Sequence, residues 1–493
     1  MGALDPYGQL APQHSKLITY ALLGCVFLAM LDGTVVGTAL PRIVEQVGGD
    51  DSRYVWLVTV YLLTSSVSVP VYGRFSDLYG RRRLLLGGVS VFLMGSLLCG
   101  LAGSMELLIA ARAVQGLGAG ALLTLGMALV RDLHPPSRTE ALVRLQTLMA
   151  TIMIVGLVGG PLIGGLLADH AGWRWAFWIN LPLGLAALAV LIRLLPDRKP
   201  AAGPTGRLDS AGILLLAAGL SLVLTAFSVK GSSVDGRTPA WTEPAVLGCL
   251  LGGAALLALL VPVERKAAVP VLPMGLFGNR SYAALLSAGF FIQVAALPVG
   301  ILLPLYFQFV RGDSATVSGL LILPLLIGMT LGNRLTAVAV LRTGRTRPVL
   351  LAGTGLLTLG TTAFAVLGAA TPPALTAGWL LLVGLGSGPA MGGLTLATQN
   401  AVERSDMGTA TAGSALSKQI GGAFGLAVTQ SLLGTHTGPG PGATAIGSII
   451  AWCGAVAGLL ALGALLLVPG GTAGGPPEGK VRGRFPVRTA RPE

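Results

Sequence analysis

One carboxylate stands in the middle of a long apolar stretch: Asp32, in LLGCVFLAMLDGTVVGTALPRI. A charge at the centre of a membrane span costs at least ~2.5–3.5 kcal/mol on insertion scales, so residues of this kind face a cavity and act there. Counted from the outer end of its helix at ~1.5 Å per residue, Asp32 lies ~14 Å deep. A carboxyl group held there can take up and release a proton. The plainer alternative is a structural Asp capping a helix break near Gly33. Arg112 lies ~9 Å below the outer end of its own helix by the same rise. The two are at similar depth, and pairing would offset the burial of both charges. Arg112 opens RAVQGLGAG, which places Gln115 one turn away. Its alternative is an arginine reaching up to the interface.

Two further segments have the composition of moving parts. GRFSDLYGRRRLLL starts at Gly73; Gly73 and Gly80 permit tight backbone, and Asp77 sits among Arg74, Arg81, Arg82 and Arg83. That pattern suits local ion pairs and a carboxylate near a helix N-terminus, a conformational latch. It also suits a simple positive-inside anchor. GLVGGPLIGGLL starts at Gly156. Pro161 cannot donate to the carbonyl of Leu157, which predicts a bend. Gly156, Gly160, Gly164 and Gly165 expose backbone for close helix contact. Lys418 lies ~13 Å inside its helix. It could face a cavity and compete with protons or organic cations, or fold its stem towards the cytoplasmic surface. Trp56, Tyr61, Phe291, Gln293, Tyr306, Gln308, Gln399 and Asn400 are candidates to line a substrate cavity, with helix packing as the alternative for each. His14, His134, His170 and His436 fall in tails or loops, far apart. The sequence shows no metal cluster, nucleophile elbow or phosphate-binding loop, so no enzyme and no cofactor is predicted; active transport must draw on an ion gradient.

The elements that position these residues follow from composition. Of 493 residues, 53% are hydrophobic and 11% charged, against about a quarter charged in an ordinary soluble domain. The 72 glycines fit closely packed membrane helices. Cys25, Cys99, Cys249 and Cys453 all lie in apolar runs without a CxxC pair and behave as small core hydrophobes. A span needs ~20 apolar residues. Fourteen are predicted, at 17–41, 54–73, 84–103, 106–130, 143–168, 176–195, 210–229, 243–263, 282–308, 316–336, 349–369, 375–398, 409–434 and 444–468. The formal charge of +13 does not point to nucleic acid, because the basic residues sit in short loops. With the N-terminus inside, cytoplasmic segments hold roughly 25 Lys and Arg and outer loops roughly 6. The first span is too long for a cleavable signal peptide and carries Asp32.

An internal repeat is visible. GLGAGALLTLGMALVRDLHPPSRTEA begins at Gly116 and GLGSGPAMGGLTLATQNAVERSDMGTA at Gly384. A parallel repeat of helix bundles with substrate between the halves is a known transporter plan. The predicted division is a cytoplasmic tail at 1–16, a six-helix bundle at 17–195, linkers and an inserted two-helix hairpin at 196–281, a second six-helix bundle at 282–468, and a disordered cytoplasmic tail at 469–493.

Four segments, LDGTVVGTALPRI, the loop from Gly73, RAVQGLGAG and the glycine–proline run from Gly156, resemble in order the motifs of the major facilitator superfamily. The last of them is similar to the antiporter motif that separates exporters from symporters. WRWAFWINLPLG from Trp173, GRLDSAGILLL from Gly206 and GTATAGSALSKQIGGAFGLAV from Gly408 resemble the fourteen-helix drug:proton antiporters, over about residues 17–468. The resemblance implies an all-α membrane protein of the major facilitator fold, working in a bacterial cell membrane as a monomer with both termini inside. Its implied partners are protons, a small organic substrate and the lipid bilayer. Asp32 and Arg112 would couple protons; Gly73, Asp77, Gly80, Arg81 and Arg82 would form the latch. Two departures stand out. Gly37 replaces the family's frequent Asn, and GNRLTAVAVLRTGRTR from Gly332 lacks an acidic residue, so the latch would act mainly in the first half. Export of amphipathic compounds is the implied activity; a dedicated exporter of one natural product, an importing symporter and a non-transporting receptor or scaffold are the alternatives.

Overall fold

In lipid, backbone N–H and C=O groups find no water, so a chain this apolar must satisfy them within helices or a closed barrel. The computed structural model takes the first course. It describes residues 11–47, 54–133, 155–156, 159–197, 210–231, 239–267, 274–403, 406–433 and 442–469, and no strand occurs among them. Residues 1–10 of the predicted N-terminal tail, nearly all of the C-terminal tail, most of the linker at 197–209 and the first part of the span at 143–168 lie outside the described residues, whereas 12–16 of the predicted tail belong to the first helix.

The first half contains α1 (Pro12–Val47), α2 (Tyr54–Tyr79), α3 (Arg81–Leu101), α4 (Met105–Leu133), α5 at 159–170 and α6 (Trp175–Leu194). The hairpin is α7 (Ser210–Gly231) and α8 (Pro244–Lys266). The second half contains α9 (Arg280–Val310), α10 (Ala315–Thr343), α11 (Arg347–Val366), α12 (Pro373–Asn400), α13 (Met407–Leu433) and α14 (Ala443–Leu466). Eleven helices among the described residues are long and apolar enough to cross a membrane. Helix α1 runs several residues beyond the predicted 17–41 at both ends. Helix α12 is broken at Gly388, because Pro389 has no N–H to continue the ladder.

The glycine repeat acquires a packing meaning. A Cβ on Gly116 would overlap Thr64 and Tyr61 of α2, and one on Gly120 would strike Ser68 of the same helix. A Cβ on Gly118 would overlap Phe92 of α3. In the second half, Gly384 and Gly388 meet Leu325 and Met329 of α10, and Gly386 meets Leu357 of α11. The same three positions thus seat the fourth helix of each half against its second and third. Small residues let these backbones approach, which is how helices gain packing energy where lipid offers no hydrophobic drive.

The hairpin is zipped by glycine in the same way: a Cβ on Gly253 would lie 2.8 Å from the Gly219 carbonyl. Its outer face then covers a seam. Leu63 of α2, Leu216, Leu220 and Leu224 of α7, Leu260 of α8, and Leu416, Ala423 and Ala427 of α13 form one buried cluster. Phe227 stacks edge-on against Phe424 of α13 at 5.0 Å and against Trp241 at 5.6 Å. Helix α7 therefore touches one helix from each half.

Candidate functional site

Asp32 and Arg112 meet. The guanidinium Nη1 donates to Asp32 Oδ2 at 2.6 Å, and the side chains are 0% and 1% exposed. Gln115 bridges them: Arg112 Nη1 donates to its Oε1 at 2.8 Å, and its Nε2 donates to Asp32 Oδ1 at 2.8 Å. Arg112 Nε donates to the Leu57 carbonyl at 3.1 Å. Tyr61, a cavity candidate by sequence, lies beneath the guanidinium, 4.1 Å from ring centroid to Cζ, with its hydroxyl donating to the Ala29 carbonyl at 3.3 Å. A cation over a desolvated ring gains roughly 2 kcal/mol. Helices α1, α2 and α4 thus supply an acid, a ring and a base to one buried knot.

Two members were not singled out by sequence. Asn180 Nδ2 donates to Asp32 Oδ1 and to Ser96 Oγ, both at 3.0 Å. Gln115 Nε2 also reaches Ser96 Oγ at 2.6 Å. The segment WRWAFWINLPLG explains how Asn180 arrives. Gly172 turns the chain at a φ of 90°, a left-handed conformation that favours glycine. Trp173 is buried and packs edge-on against Phe177 at 6.1 Å. Phe177 lies 5.7 Å from the Arg112 guanidinium, and Asn180 follows one turn later. A buried amide inside an apolar run was the available signal.

The glycine–proline run joins three helices at one end of the bundle. A Cβ on Gly156 would press Met30 at 3.2 Å; one on Gly160 would strike Thr34, and one on Gly164 the Val35 carbonyl. These face α1. On the other side, a Cβ on Gly165 would overlap the Ala315 carbonyl of α10, and one on Gly319 the Pro161 carbonyl. Thr38 Oγ1 donates to that same carbonyl at 3.1 Å. Residues 157–158 lie outside the described residues, so the predicted bend falls there in part. Gln308, a cavity candidate by sequence, reaches this contact: its Nε2 donates to the Thr38 carbonyl at 3.1 Å from the widened last turn of α9.

Asp169, also unremarked in the sequence, completes the closure. Its carboxylate accepts from Ala315 N at 3.2 Å, Thr316 N at 2.7 Å and Thr316 Oγ1 at 2.6 Å. A residue of the first half thereby caps the N-terminus of a helix of the second, where the free N–H groups and the helix dipole favour an anion. Burial opposes its charge, yet these donors outweigh it and hold the carboxyl below its ordinary 3.8. A depressed carboxyl keeps its contribution above the ordinary value and loses it only as pH falls lower. The contact is therefore expected to persist down to about pH 4 and to be lost only below it. Asp169→Asn replaces one acceptor by a donor aimed at N–H groups and is expected to open this end at every pH. Labelling of a cysteine at the buried position Ser318 by a membrane-impermeant maleimide checks both outcomes; equal labelling rates with and without the substitution would count against the cap.

The other end holds the segment read as a latch. Gly80, with a φ of 90°, turns the chain between α2 and α3. Among the described residues the arginines that follow have partners distant in sequence. Arg81 pairs with Asp132 near the end of α4, Arg82 Nη2 donates to the Ile192 carbonyl at 2.7 Å, and Arg83 pairs with Asp197 at 3.2 Å. The turn at Gly80 sends them onto a new helix whose first residues lie beside the ends of α4 and α6. All three contacts stay within the first half. The side chain of Asp77 lies outside the described residues, and a Cβ on Gly73 would meet open space.

The remaining candidates are scattered. Gln399 Nε2 donates to Thr411 Oγ1 at 3.1 Å, Gln293 is half-buried on α9, and Lys418 Nζ donates to the Ala390 carbonyl at 3.4 Å. All four cysteines are free, and no group of metal-ligating side chains occurs among the described residues.

Comparison with known proteins gives this geometry a family. The model of the Major Facilitator Superfamily matches residues 22–426. An uncharacterized MFS-type transporter of Mycobacterium tuberculosis is 38% identical over 423 residues, 86% of this chain and 60% of that protein. This chain therefore spans about 60% of the length of that relative. The multidrug transporter protein MdtP of Bacillus subtilis is 33% identical over 426 residues, 86% of this chain and 76% of that protein. Among solved structures, a nucleoside transporter superposes with a TM-score of 0.66 at 12% identity, covering 92% of this chain and 100% of that one, which speaks for the fold alone. With its helical repeat, its intramembrane ion pair and these relatives, the chain belongs to the Major Facilitator Superfamily and is a multi-pass membrane protein.

Proposed function

We propose that this chain is a proton-driven antiporter that exports amphipathic organic compounds by alternating access. The observation that carries the reading is the sealed knot around Asp32, a carboxylate in the membrane whose charge is balanced by Arg112 at 2.6 Å. Protonating Asp32 removes the counter-charge of a buried guanidinium. Breaking a buried pair costs about 3–5 kcal/mol, enough to change which conformation is stable. Outside, Asp32 takes up a proton and the pairing weakens; inside, substrate binding favours its release. Each charge carried inward gains ~2.3 kcal/mol per 100 mV. That sustains a substrate gradient of roughly fortyfold per charge.

The distribution of Lys and Arg supports termini in the cytoplasm and the Asp169 contact outside. This conformation is then closed to the outside. The chain would cross the bacterial cell membrane fourteen times, α7 and α8 being the inserted pair, and work as a monomer without a cofactor. Efflux-pump names among the fungal relatives, and multidrug names among the bacterial ones, support the direction. Proteoliposomes loaded with a fluorescent amphipathic dye test the reading: export is expected to follow an imposed proton gradient and stop when nigericin collapses it. Export that ignores the collapse, or dye moving with the protons, would overturn it.

A further inference from the structure

Among the described residues, charge deep within the spans does not balance. Asp32 and Arg112 neutralise one another, and Gln115, Asn180 and Tyr61 take up their remaining polar edges. Lys418 has no such complement. It lies eleven residues into α13, ~16 Å along the helix axis. Among the described residues the ion pairs are Arg42 with Glu45 and Asp169, Arg81 with Asp132, Arg83 with Asp197, Arg112 with Asp32, and Arg311 with Asp313. Among the described residues no carboxylate forms an ion pair with Lys418. An ammonium carries three donors. The one bond it makes, to Ala390, is long at 3.4 Å and ends on a neutral carbonyl.

The surroundings hold the side chain in place. Its stem lies along Gly289 of α9, where a Cβ would meet Lys418 Cγ at 3.2 Å. The head reaches Ala390, just past the Gly388–Pro389 break of α12. The neighbouring turns of α13 are spent on packing: Gly421 lies against Phe290 and Gly425 against Val294, both of α9. Lys418 is thus clasped by α9, α12 and α13 yet keeps partial exposure, unlike Asp32 and Arg112. A stem pinned by a glycine cannot swing freely to the membrane surface, which disfavours the snorkelling alternative.

We infer that Lys418 is the anchor for an acidic group on the substrate, so that the exported class is amphipathic organic acids carried as anions. The substrate's carboxylate supplies the counter-charge that the second half lacks and accepts the two free N–H bonds of the ammonium. Proton coupling in the first half and charge recognition in the second are then separate tasks on separate bundles. The inference rests on the export reading above and narrows it.

A pair of probes with one apolar body and opposite charge separates the outcomes: 1-pyrenebutyrate and the corresponding pyrenebutyl trimethylammonium. Binding is measured by fluorescence anisotropy on the full chain in nanodiscs, and transport in proteoliposomes. The acid is expected to bind the wild-type protein more tightly than the cation. Lys418→Met should weaken acid binding about tenfold or more, the loss of one charge-assisted contact, and leave the cation unchanged or tighter. Lys418→Arg should retain acid binding to within about threefold, since it keeps the charge. Equal loss of both probes in Lys418→Met, with normal folding of Lys418→Arg, would assign the lysine to the helix break and overturn the inference. So would acid binding that Lys418→Met leaves intact, or transport of the cation alone; in either case the export reading would stand. Transport of neither probe by the wild-type protein would sink both.

Discussion

Asp32→Asn is expected to abolish proton-coupled efflux while the protein still reaches the membrane. The substitution keeps the shape of the side chain and much of its bonding to Gln115 and Asn180, but leaves Arg112 a cation without a counter-charge. An uncompensated buried charge costs about 3–5 kcal/mol, so a transport step that needs the paired state slows by about a hundredfold or more. Loss of activity alone would not separate coupling from scaffolding. The double variant Asp32→Asn with Arg112→Gln does, since it restores neutrality. It is expected to express as well as the wild type and to let substrate run down its own gradient, with no uphill movement. Uphill efflux by the double variant in proteoliposomes under a proton gradient would reduce the pair to a structural role.

The second large effect is expected at Gly165. A leucine there must occupy space held by the backbone of Ala315, and backbone cannot rotate away as a side chain can. Overpacking of this kind costs typically about 1–3 kcal/mol, which shifts a two-state population ~5–150-fold. The protein should therefore stay open at the Asp169 end, unable to complete its cycle. Spin labels at the exposed positions His170 and Val317 should report a longer distance. Gly159→Leu is the control on the same helix, because a Cβ at Gly159 meets only the tip of Ile163 at 3.6 Å. An unchanged distance distribution in Gly165→Leu would show that the closure tolerates bulk.

The fold was largely legible because lipid leaves the backbone few options and the hydropathy of each span is strong. The two residues at the centre of the ion pair were legible for a related reason: charge in a membrane is rare enough to count. The parts that escaped lack that contrast. Asn180 and Ser96 are small polar residues in helices, common in packing roles, and only the fold brings them to Asp32. Asp169 sits among ordinary loop charges, and nothing local to it announces a helix N-terminus from the other half. The arginines after Gly80 show the same limit. Spacing could not say that a single left-handed turn would bring Arg81 to Asp132 and Arg83 to Asp197. The fourth-helix glycines were legible as a repeat, but their division of labour between two neighbours was not, since one-dimensional spacing cannot say which face meets which helix.

The greasy contact of α7 with both α2 and α13 bears on how a lipid-dissolved molecule could enter. A two-bundle carrier in a bilayer has two flanks along which its halves part, and an amphiphile can slip in sideways wherever a flank gapes. Here one flank is shuttered by Leu216, Leu220, Leu224 and Phe227, which lie over the line where α2 meets α13. On the export reading proposed above, a seated shutter would confine traffic from the membrane to the opposite flank, beside α5 and α10, where contact is made glycine against backbone. On that reading the same hairpin also loads the cycle mechanically: a tilt of the bundles would require one leucine face to slide while the other keeps its grip.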